Sequence, residues 1–162
     1  MANQDQKITT FITFDNRAEE AVNFYCSVFK DAEVLSLNRY ESDEPGDKGS
    51  VINAAFRLYD QTFMAMDVPG GFPIGHGISL FVDCDTQAEV DQLWEALAEG
   101  GQIMQCGWLT DKFGVSWQII PKALGELLTK GSAAQREAVM NAMLQMKKII
   151  VPELELAFEQ AA

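Results

Sequence analysis

We consider three side chains as candidates to bind or attack a small molecule. They are Gln118, Cys106 and His76, the single histidine. Gln118 lies within an apolar run, and a polar amide there needs a hydrogen-bonding partner when it is buried. It is therefore either a satisfied core amide or a side chain that faces a ligand. Cys106 could be a nucleophile if a base such as His76 lay beside it. We prefer an inert buried cysteine, because buried free thiols usually behave as small apolar groups.

The residues around these side chains predict a β-hairpin that would position them. Two short apolar runs flank the segment Asp111-Lys112-Phe113-Gly114, in which glycine supplies the turn geometry. Pro121 cannot donate to a sheet ladder, so the second strand should end there. Alternation along that strand separates two faces. One face carries Ser116, Gln118 and Ile120, and the other carries Val115, Trp117 and Ile119.

The composition is that of one folded domain. The chain has 162 residues, of which 48% are hydrophobic, enough for a substantial core. No apolar run approaches the roughly 20 residues that span a bilayer, and the start of the chain lacks the features of a signal peptide. Three cysteines without a C-x-x-C pair favour a reducing compartment. We therefore expect a cytoplasmic protein.

The charge balance restricts the partners. The formal net charge is −12, from 24 acidic and 12 basic residues. Such a surface repels phosphate backbones and anionic lipid. We expect neither nucleic acid nor a membrane as a partner.

Residues 70 positions apart repeat a pattern, which indicates a duplicated module. The matched pairs are Ile8 and Ile78, Phe11 and Phe81, Asp15 and Asp85, Ala18 and Ala88, and Glu19 and Glu89. The first module is predicted as β-α-β-β-β over residues 6–67, with strands at 8–14, 33–40, 50–58 and 62–66. The second, residues 75–121, has too few residues between its helix and its last turn, so it should be one strand short or badly abbreviated.

Each module should contain one amphipathic helix that begins with a capping box. Asn16 with Glu19 is the predicted first cap, and Thr86 with Glu89 is the second. The core-facing stripes have a 3.6-residue period. They comprise Ala21, Val22, Tyr25, Val28 and Phe29 in the first helix, and Val90, Leu93, Trp94 and Leu97 in the second.

Three further segments complete the predicted organisation. Residues 41–49 form an acidic connection, and residues 68–77 form a Gly-rich linker. Residues 122–162 are predicted to be helical, with helices at 123–128 and 133–148 and another turn or two after Glu153. The methionines of the longer helix are typical of core or dimer packing.

The chain resembles the vicinal oxygen chelate superfamily of glyoxalases, extradiol dioxygenases and bleomycin-resistance proteins. The nearest likeness is its PhnB-like branch, often labelled 3-demethylubiquinone-9 3-methyltransferase. The matching segments are residues 11–15, 18–21, 23–25, 49–50, 63–66, 82–84, 106–121 and 140–148. The resemblance implies an α+β fold in which two curved mixed half-sheets enclose a small-molecule pocket, usually in a homodimer.

Glyoxalase-type relatives hold a divalent metal with His and Glu side chains. The resemblance carries these ligand positions to Thr9 (or Lys7 or Phe11), to Met66, to Gly77 or Ser79, and to Gln118. None of these is His, Asp or Glu, so we expect no catalytic metal. We interpret His76 as a loop residue. No Gly-rich strand-to-helix turn suits a nucleotide-like cofactor, and Pro73 precludes a helix directly after Gly70-Gly71. We expect no cofactor.

By the same resemblance, one set of strand positions would line the ligand pocket. It comprises Thr9, Phe11, Thr13, Met64, Met66, Ser79, Phe81, Trp108, Ser116 and Gln118. Apolar and aromatic side chains with a few hydroxyls and one amide are typical of a small-ligand site. The alternative is that these side chains pack together as core. For Trp117, strand alternation favours the core.

Three functions compete at this stage. The first is a metal-independent dimeric protein that binds a small apolar or aromatic molecule. The second is an enzyme of the same fold: a lyase, an isomerase, a dioxygenase-like protein or the quinone methyltransferase of the family label. The third is a structural dimer whose cavity is filled by side chains. We prefer the first.

Overall fold

The computed structural model describes residues 6–43, 47–72 and 74–162. The chain divides into two compact units, the first up to Pro73 and the second from Ile74. The predicted acidic connection at 41–49 and the linker at 68–77 each contain residues outside the described ranges, as does the start of the chain. Within the described ranges, no helix is long and apolar enough to cross a membrane.

The first unit is a four-stranded mixed sheet with one helix. Its elements are β1 (Thr10–Phe14), α1 (Ala18–Val28), β2 (Glu33–Arg39), β3 (Val51–Leu58) and β4 (Gln61–Asp67). The strand order is β1-β4-β3-β2, with β1 parallel to β4 and the other pairs antiparallel. The predicted β-α-β-β-β order is confirmed, although β1 begins two residues later than Ile8.

Helix α1 packs its predicted apolar stripe against one face of this sheet. Tyr25 is fully buried and stacks on Phe56 of β3 with ring centroids 6.1 Å apart. Phe56 in turn stacks on Phe63 of β4 at 5.3 Å. Strand alternation sends Ile12 and Phe14 to the same face, where both are buried. Helix α1 therefore covers this face of the sheet and leaves the opposite face uncovered.

The predicted cap of α1 is wrong. Asn16 has a φ of 54°, and Arg17 directly precedes the helix without a side-chain cap. The first helical N–H, that of Ala18, instead donates to Asp67 Oδ1 at 2.8 Å. The parallel pairing of Phe14 with Asp67 brings this carboxylate to the helix start. An acceptor 49 residues away thus replaces the local one.

The second unit repeats the module and adds three helices. Its elements are β5 (Leu80–Cys84), α2 (Gln87–Ala98), β6 (Gln102–Ile103), β7 (Trp108–Thr110), β8 (Ser116–Pro121), α3 (Lys122–Lys130), α4 (Ala133–Gln145) and α5 (Val151–Gln160). The strand order β5-β8-β7-β6 matches that of the first sheet. The second module is shortened as predicted: its strands β6 and β7 have only two and three residues.

Helix α2 covers one face of the second sheet as predicted. Val90, Leu93, Trp94 and Leu97 are buried, together with the strand residues Leu109, Trp117 and Ile119. The Thr86 hydroxyl accepts from the Glu89 N–H at 3.2 Å, so this cap is confirmed. The Glu89 carboxylate accepts from the N–H of Asp85 at 2.8 Å, one residue before the cap.

The added helices pack on each other around a separate apolar cluster. Its buried members are Leu124, Val139, Met146, Ile149 and Leu154, and Ile120 of β8 packs against them. Met146 is buried, but Met140 is 38% exposed, so the methionines are divided between core and surface. Helix α4 ends at Gln145, three residues earlier than predicted, and the next two carbonyls bind the turn between β6 and β7. Met146 and Lys147 accept from the N–H groups of Cys106 and Gly107 at 2.8 and 2.7 Å.

Replacing Asp67 by alanine should destabilise the protein by about 1 kcal/mol, because the first turn of α1 loses its side-chain acceptor. The free energy of unfolding in urea measures this. The matched control is Asn16→Gly at the predicted but unused cap, where glycine accepts the positive φ without strain. This variant should change stability by less than about 0.5 kcal/mol. The opposite order of the two effects would return the capping role to Asn16.

Candidate functional site

The uncovered face of the second sheet brings three predicted site residues side by side. Gln118 of β8 pairs with Phe81 of β5 on one side and with Trp108 of β7 on the other. Phe81 is 58% exposed, and Gln118 and Trp108 are half-buried. Trp117, the next residue along β8, is buried beneath the sheet as strand alternation predicted.

The polar groups on this face are joined in pairs. The Gln118 amide donates through Nε2 to Ser79 Oγ at 2.8 Å. Ser116 is buried, and its Oγ lies 3.1 Å from His76 Nδ1. Gln118 is therefore a satisfied amide that still borders an exposed aromatic ring. Its carbonyl oxygen and the second N–H of the amide are additional hydrogen-bonding groups.

The corresponding face of the first sheet carries four of the other predicted residues. Phe11 pairs with Met64, and Thr13 pairs with Met66, across the parallel strands β1 and β4. Phe11 is 48% exposed, while Thr13 and the two methionines are half-buried. Thr9 lies just before β1 and is half-buried. Each unit therefore presents an exposed phenylalanine on its edge strand, at repeat-related positions.

A buried carboxylate that the sequence analysis missed fixes the geometry of the last hairpin. Asp111 is 3% exposed, and it accepts from the N–H groups of Phe113 and Val115 at 2.8 and 3.0 Å. Its other oxygen accepts from the Trp117 indole at 2.8 Å. Gly114 has a φ of 88°, as the predicted turn requires. The spacing Asp-x-x-Gly-x-x-Trp was the available signal for this contact.

Cys106 differs from the expected buried cysteine, because it is half-buried. It has a φ of 59°, and its N–H donates to the Met146 carbonyl. Its backbone thus joins the second sheet to the C-terminal helices. The imidazole of His76 contacts Ser116 instead. A cysteine–histidine pair is not among the contacts of the described residues.

The residues at the metal-ligand positions of glyoxalase-type relatives do not fit a divalent cation. Met66 offers only a thioether, Thr9 and Ser79 offer neutral hydroxyls, and Gln118 offers one amide oxygen. Among residues 6–43, 47–72 and 74–162, no three His, Cys, Asp or Glu side chains are grouped to hold an ion. Zn²⁺ and related metals require several strong donors that converge on one point.

The Gly-rich turn after β4 does not form a cofactor cradle either. The N–H of Gly70 donates to Asp15 Oδ1 at 2.9 Å, and Gly71 approaches the same aspartate. Both glycines have a positive φ and serve this turn. The next regular element in the described part of the chain is strand β5 rather than a helix. A helix N-terminus that could face a cofactor phosphate is therefore missing from this turn.

Similarity to solved structures defines the class of protein. The fosfomycin resistance protein FosX of Listeria monocytogenes, solved with Mn(II) and sulfate, is 12% identical with a TM-score of 0.52; the match covers 70% of this chain and 88% of that chain. This likeness shows the fold alone. Two mixed four-stranded sheets, each with a helix on one face, are the glyoxalase/bleomycin resistance fold.

Two further comparisons identify the family, which is a narrower group than the fold. A profile of the 3-demethylubiquinone-9 3-methyltransferase family matches residues 6–120. The PhnB protein of Bacillus cereus is 44% identical with a TM-score of 0.66, and the match covers 70% of this chain and 97% of that one. A Pseudomonas aeruginosa protein is 27% identical with a TM-score of 0.60, over 70% and 95%. No curated protein sequence matches the chain. The chain belongs to this PhnB-like family.

The three thiols should differ sharply in reactivity. Burial, and then the carboxylates of Glu89, Asp83 and Asp85, raise the pKa of Cys84 to about 12. Its thiolate fraction at pH 8 is then about one in ten thousand. Timed labelling with iodoacetamide, read by peptide mass spectrometry, should modify half-buried Cys106 and leave Cys84 unmodified.

Unfolding the protein in guanidinium should expose all three cysteines and remove the difference between them. Cys26 should also react slowly in the folded protein, because burial and then Glu33 raise its pKa. Equal rates for Cys84 and Cys106 in the folded protein would contradict the buried environment assigned to Cys84.

Proposed function

We propose that this protein is a metal-independent binding protein for a small apolar or aromatic molecule. The observation that carries the proposal is the pair of exposed rings, Phe11 at 48% and Phe81 at 58%. Each lies on the sheet face that the helix of its unit leaves uncovered. Large aromatic rings contribute much of the energy of small-ligand binding when they are covered.

The polar groups beside Phe81 support a neutral ligand. Gln118 and Ser79 are half-buried and offer a neutral amide and a neutral hydroxyl. Such groups orient a ligand through its carbonyl or hydroxyl substituents, while the aromatic surface supplies affinity. A neutral aromatic molecule with an oxygen substituent matches both features.

The alternative is an enzyme of the same fold. The family description names a methyltransferase, and FosX contains Mn(II). The weak donors at Thr9, Met66, Ser79 and Gln118 support the binding protein instead. Metal analysis of the purified protein separates the two, because stoichiometric Zn, Ni, Mn or Fe lost on replacing Gln118 would favour the enzyme.

The homodimer and the cytoplasmic location belong to the same proposal. The homodimer rests on the family resemblance, and light scattering on the purified protein measures it directly. The cytoplasmic location rests on the free thiols of Cys26, Cys84 and Cys106, which a reducing compartment preserves.

Native mass spectrometry of the freshly purified protein tests whether the protein binds a small molecule of the proposed kind. A copurifying neutral aromatic molecule at stoichiometric level is the expected result. A binding protein should also gain thermal stability with its ligand by mass action. Transfer of a methyl group to a quinone by the purified protein would replace the proposal with the alternative.

Replacing Phe81 by alanine should weaken binding of the neutral fluorophore N-phenyl-1-naphthylamine to the second unit about tenfold, because the change removes most of an aromatic contact surface. Replacing Phe11 by alanine should do the same for binding to the first unit. Fluorescence titration measures the dissociation constant. The matched control is Phe72→Ala, since Phe72 is 65% exposed and lies outside both sheets. It should leave binding unchanged. Equal loss in all three variants would show that the fluorophore reports general surface hydrophobicity.

A further inference from the structure

One row of side chains crosses the uncovered face of the second sheet. It consists of Phe81, Gln118 and Trp108, which are paired across β5, β8 and β7. Strand alternation directs these three side chains away from α2, because Trp117, the neighbour of Gln118, is buried beneath the sheet. An amide therefore occupies the position between two aromatic residues on this face.

The spacing of the row suits one flat ring. Neighbouring strands lie about 4.8 Å apart, so the two aromatic positions are separated by about 10 Å. A planar ring that touches an aromatic side chain on each of its faces needs about 7 Å. Phe81 is 58% exposed, and Trp108 and Gln118 are half-buried. We call the space above Gln118 and between the two aromatic residues the slot.

The first sheet shows that the fold does not require a polar residue in this row. The corresponding row there is Phe11, Met64 and Ala55, paired across β1, β4 and β3. Both rows have the exposed phenylalanine, but methionine and alanine replace the amide and the second ring. Gln118 and Trp108 therefore distinguish the second row from the first. Since an apolar side chain of similar length fits the same strand position, the amide calls for a functional explanation.

The hydrogen bonding of Gln118 leaves an acceptor for a ligand. The amide donates to Ser79 Oγ at 2.8 Å, which is the one hydrogen bond of this side chain within the described residues. The carbonyl oxygen Oε1 and the second amide hydrogen are additional groups. Covering them without a partner would cost binding energy, so a ligand in the slot must supply both a donor and an acceptor.

A carboxylate on the same face favours a ligand that is neutral and donates hydrogen bonds. Asp83 follows Phe81 by two residues on β5, so the two side chains share a face, and Asp83 is exposed. The net charge of −12 has the same sign. An anionic ligand would therefore be repelled, whereas the positive end of an N–H bond would be attracted.

We propose that the slot binds a flat heterocycle with a lactam edge, that is, a ring N–H beside a ring carbonyl. The N–H donates to Gln118 Oε1, the ligand carbonyl accepts the second amide hydrogen, and the ring lies between Phe81 and Trp108. The inference rests on the proposed function and narrows it, because Phe81 serves both. It also separates the ligand from a quinone, which has acceptors but no N–H.

Two ligands of nearly equal shape test the inference by calorimetry. 2-Quinolone has the lactam edge, and coumarin replaces its ring N–H by oxygen. The native protein should bind 2-quinolone about tenfold more tightly than coumarin, because coumarin covers the Gln118 carbonyl oxygen without donating to it. This comparison is made on the native protein, so it does not depend on the folding of a variant.

The Gln118→Met variant gives the second sheet the residue that the first sheet has at the same position. It should bind 2-quinolone about tenfold more weakly than the native protein and should bind the two ligands within twofold of each other. The matched control is Gln92→Met, the same replacement at an exposed residue of α2 on the other side of the sheet. This control should keep the tenfold preference.

The possible failures are distinguishable. If 2-quinolone and coumarin bind equally well, or if only N-phenyl-1-naphthylamine binds, the proposed function stands and the inference is overturned. If the preference for 2-quinolone survives in Gln118→Met, another group recognises the N–H and the inference is again overturned. If none of the three compounds binds, the proposed function fails and the inference fails with it.

Discussion

The buried carboxylate of Asp111 is the interaction on which the second sheet depends. It binds two backbone N–H groups of its own turn and the indole of Trp117, so it fixes both the hairpin and the side of the sheet on which Trp117 lies. Because strand faces alternate, burying Trp117 beneath the sheet turns Gln118 toward the uncovered face. A buried carboxylate without these donors would be costly, which makes other registers unfavourable.

The two units reach the same architecture with different local contacts. Strand order, helix placement and the positions of Phe11 and Phe81 are shared. The helix caps differ. Thr86 directly precedes α2 and caps it, whereas α1 is capped by Asp67, which lies at the end of strand β4. The second unit adds the Gln118–Ser79 and His76–Ser116 pairs on its uncovered face. The two units thus share the scaffold and the exposed rings, and the amide and serine pairs distinguish the second unit.

The C-terminal helices are tied to the second sheet by backbone contacts that depend on Gly107. Its positive φ turns the chain so that the N–H groups of residues 106 and 107 reach the carbonyls after α4. The Gln87 amide completes the attachment, accepting from the Val151 N–H at 2.7 Å and donating to the Ile149 carbonyl at 3.1 Å. These contacts attach the segment between α4 and α5 to the second unit's α/β module.

The sequence alone determined the structural features that depend on residues close together along the chain. The helix stripes, the abbreviated second copy, the turn at Asp111–Gly114 and the burial of Trp117 all follow from local periodicity and turn chemistry. Only the tertiary structure decided the partners of single polar groups. Asp67 displaced Asn16 as a cap, Ser79 satisfied Gln118 across 39 residues, and His76 contacted Ser116 rather than Cys106. Strand register sets such pairs, and register depends on how distant segments pack, which no local pattern encodes.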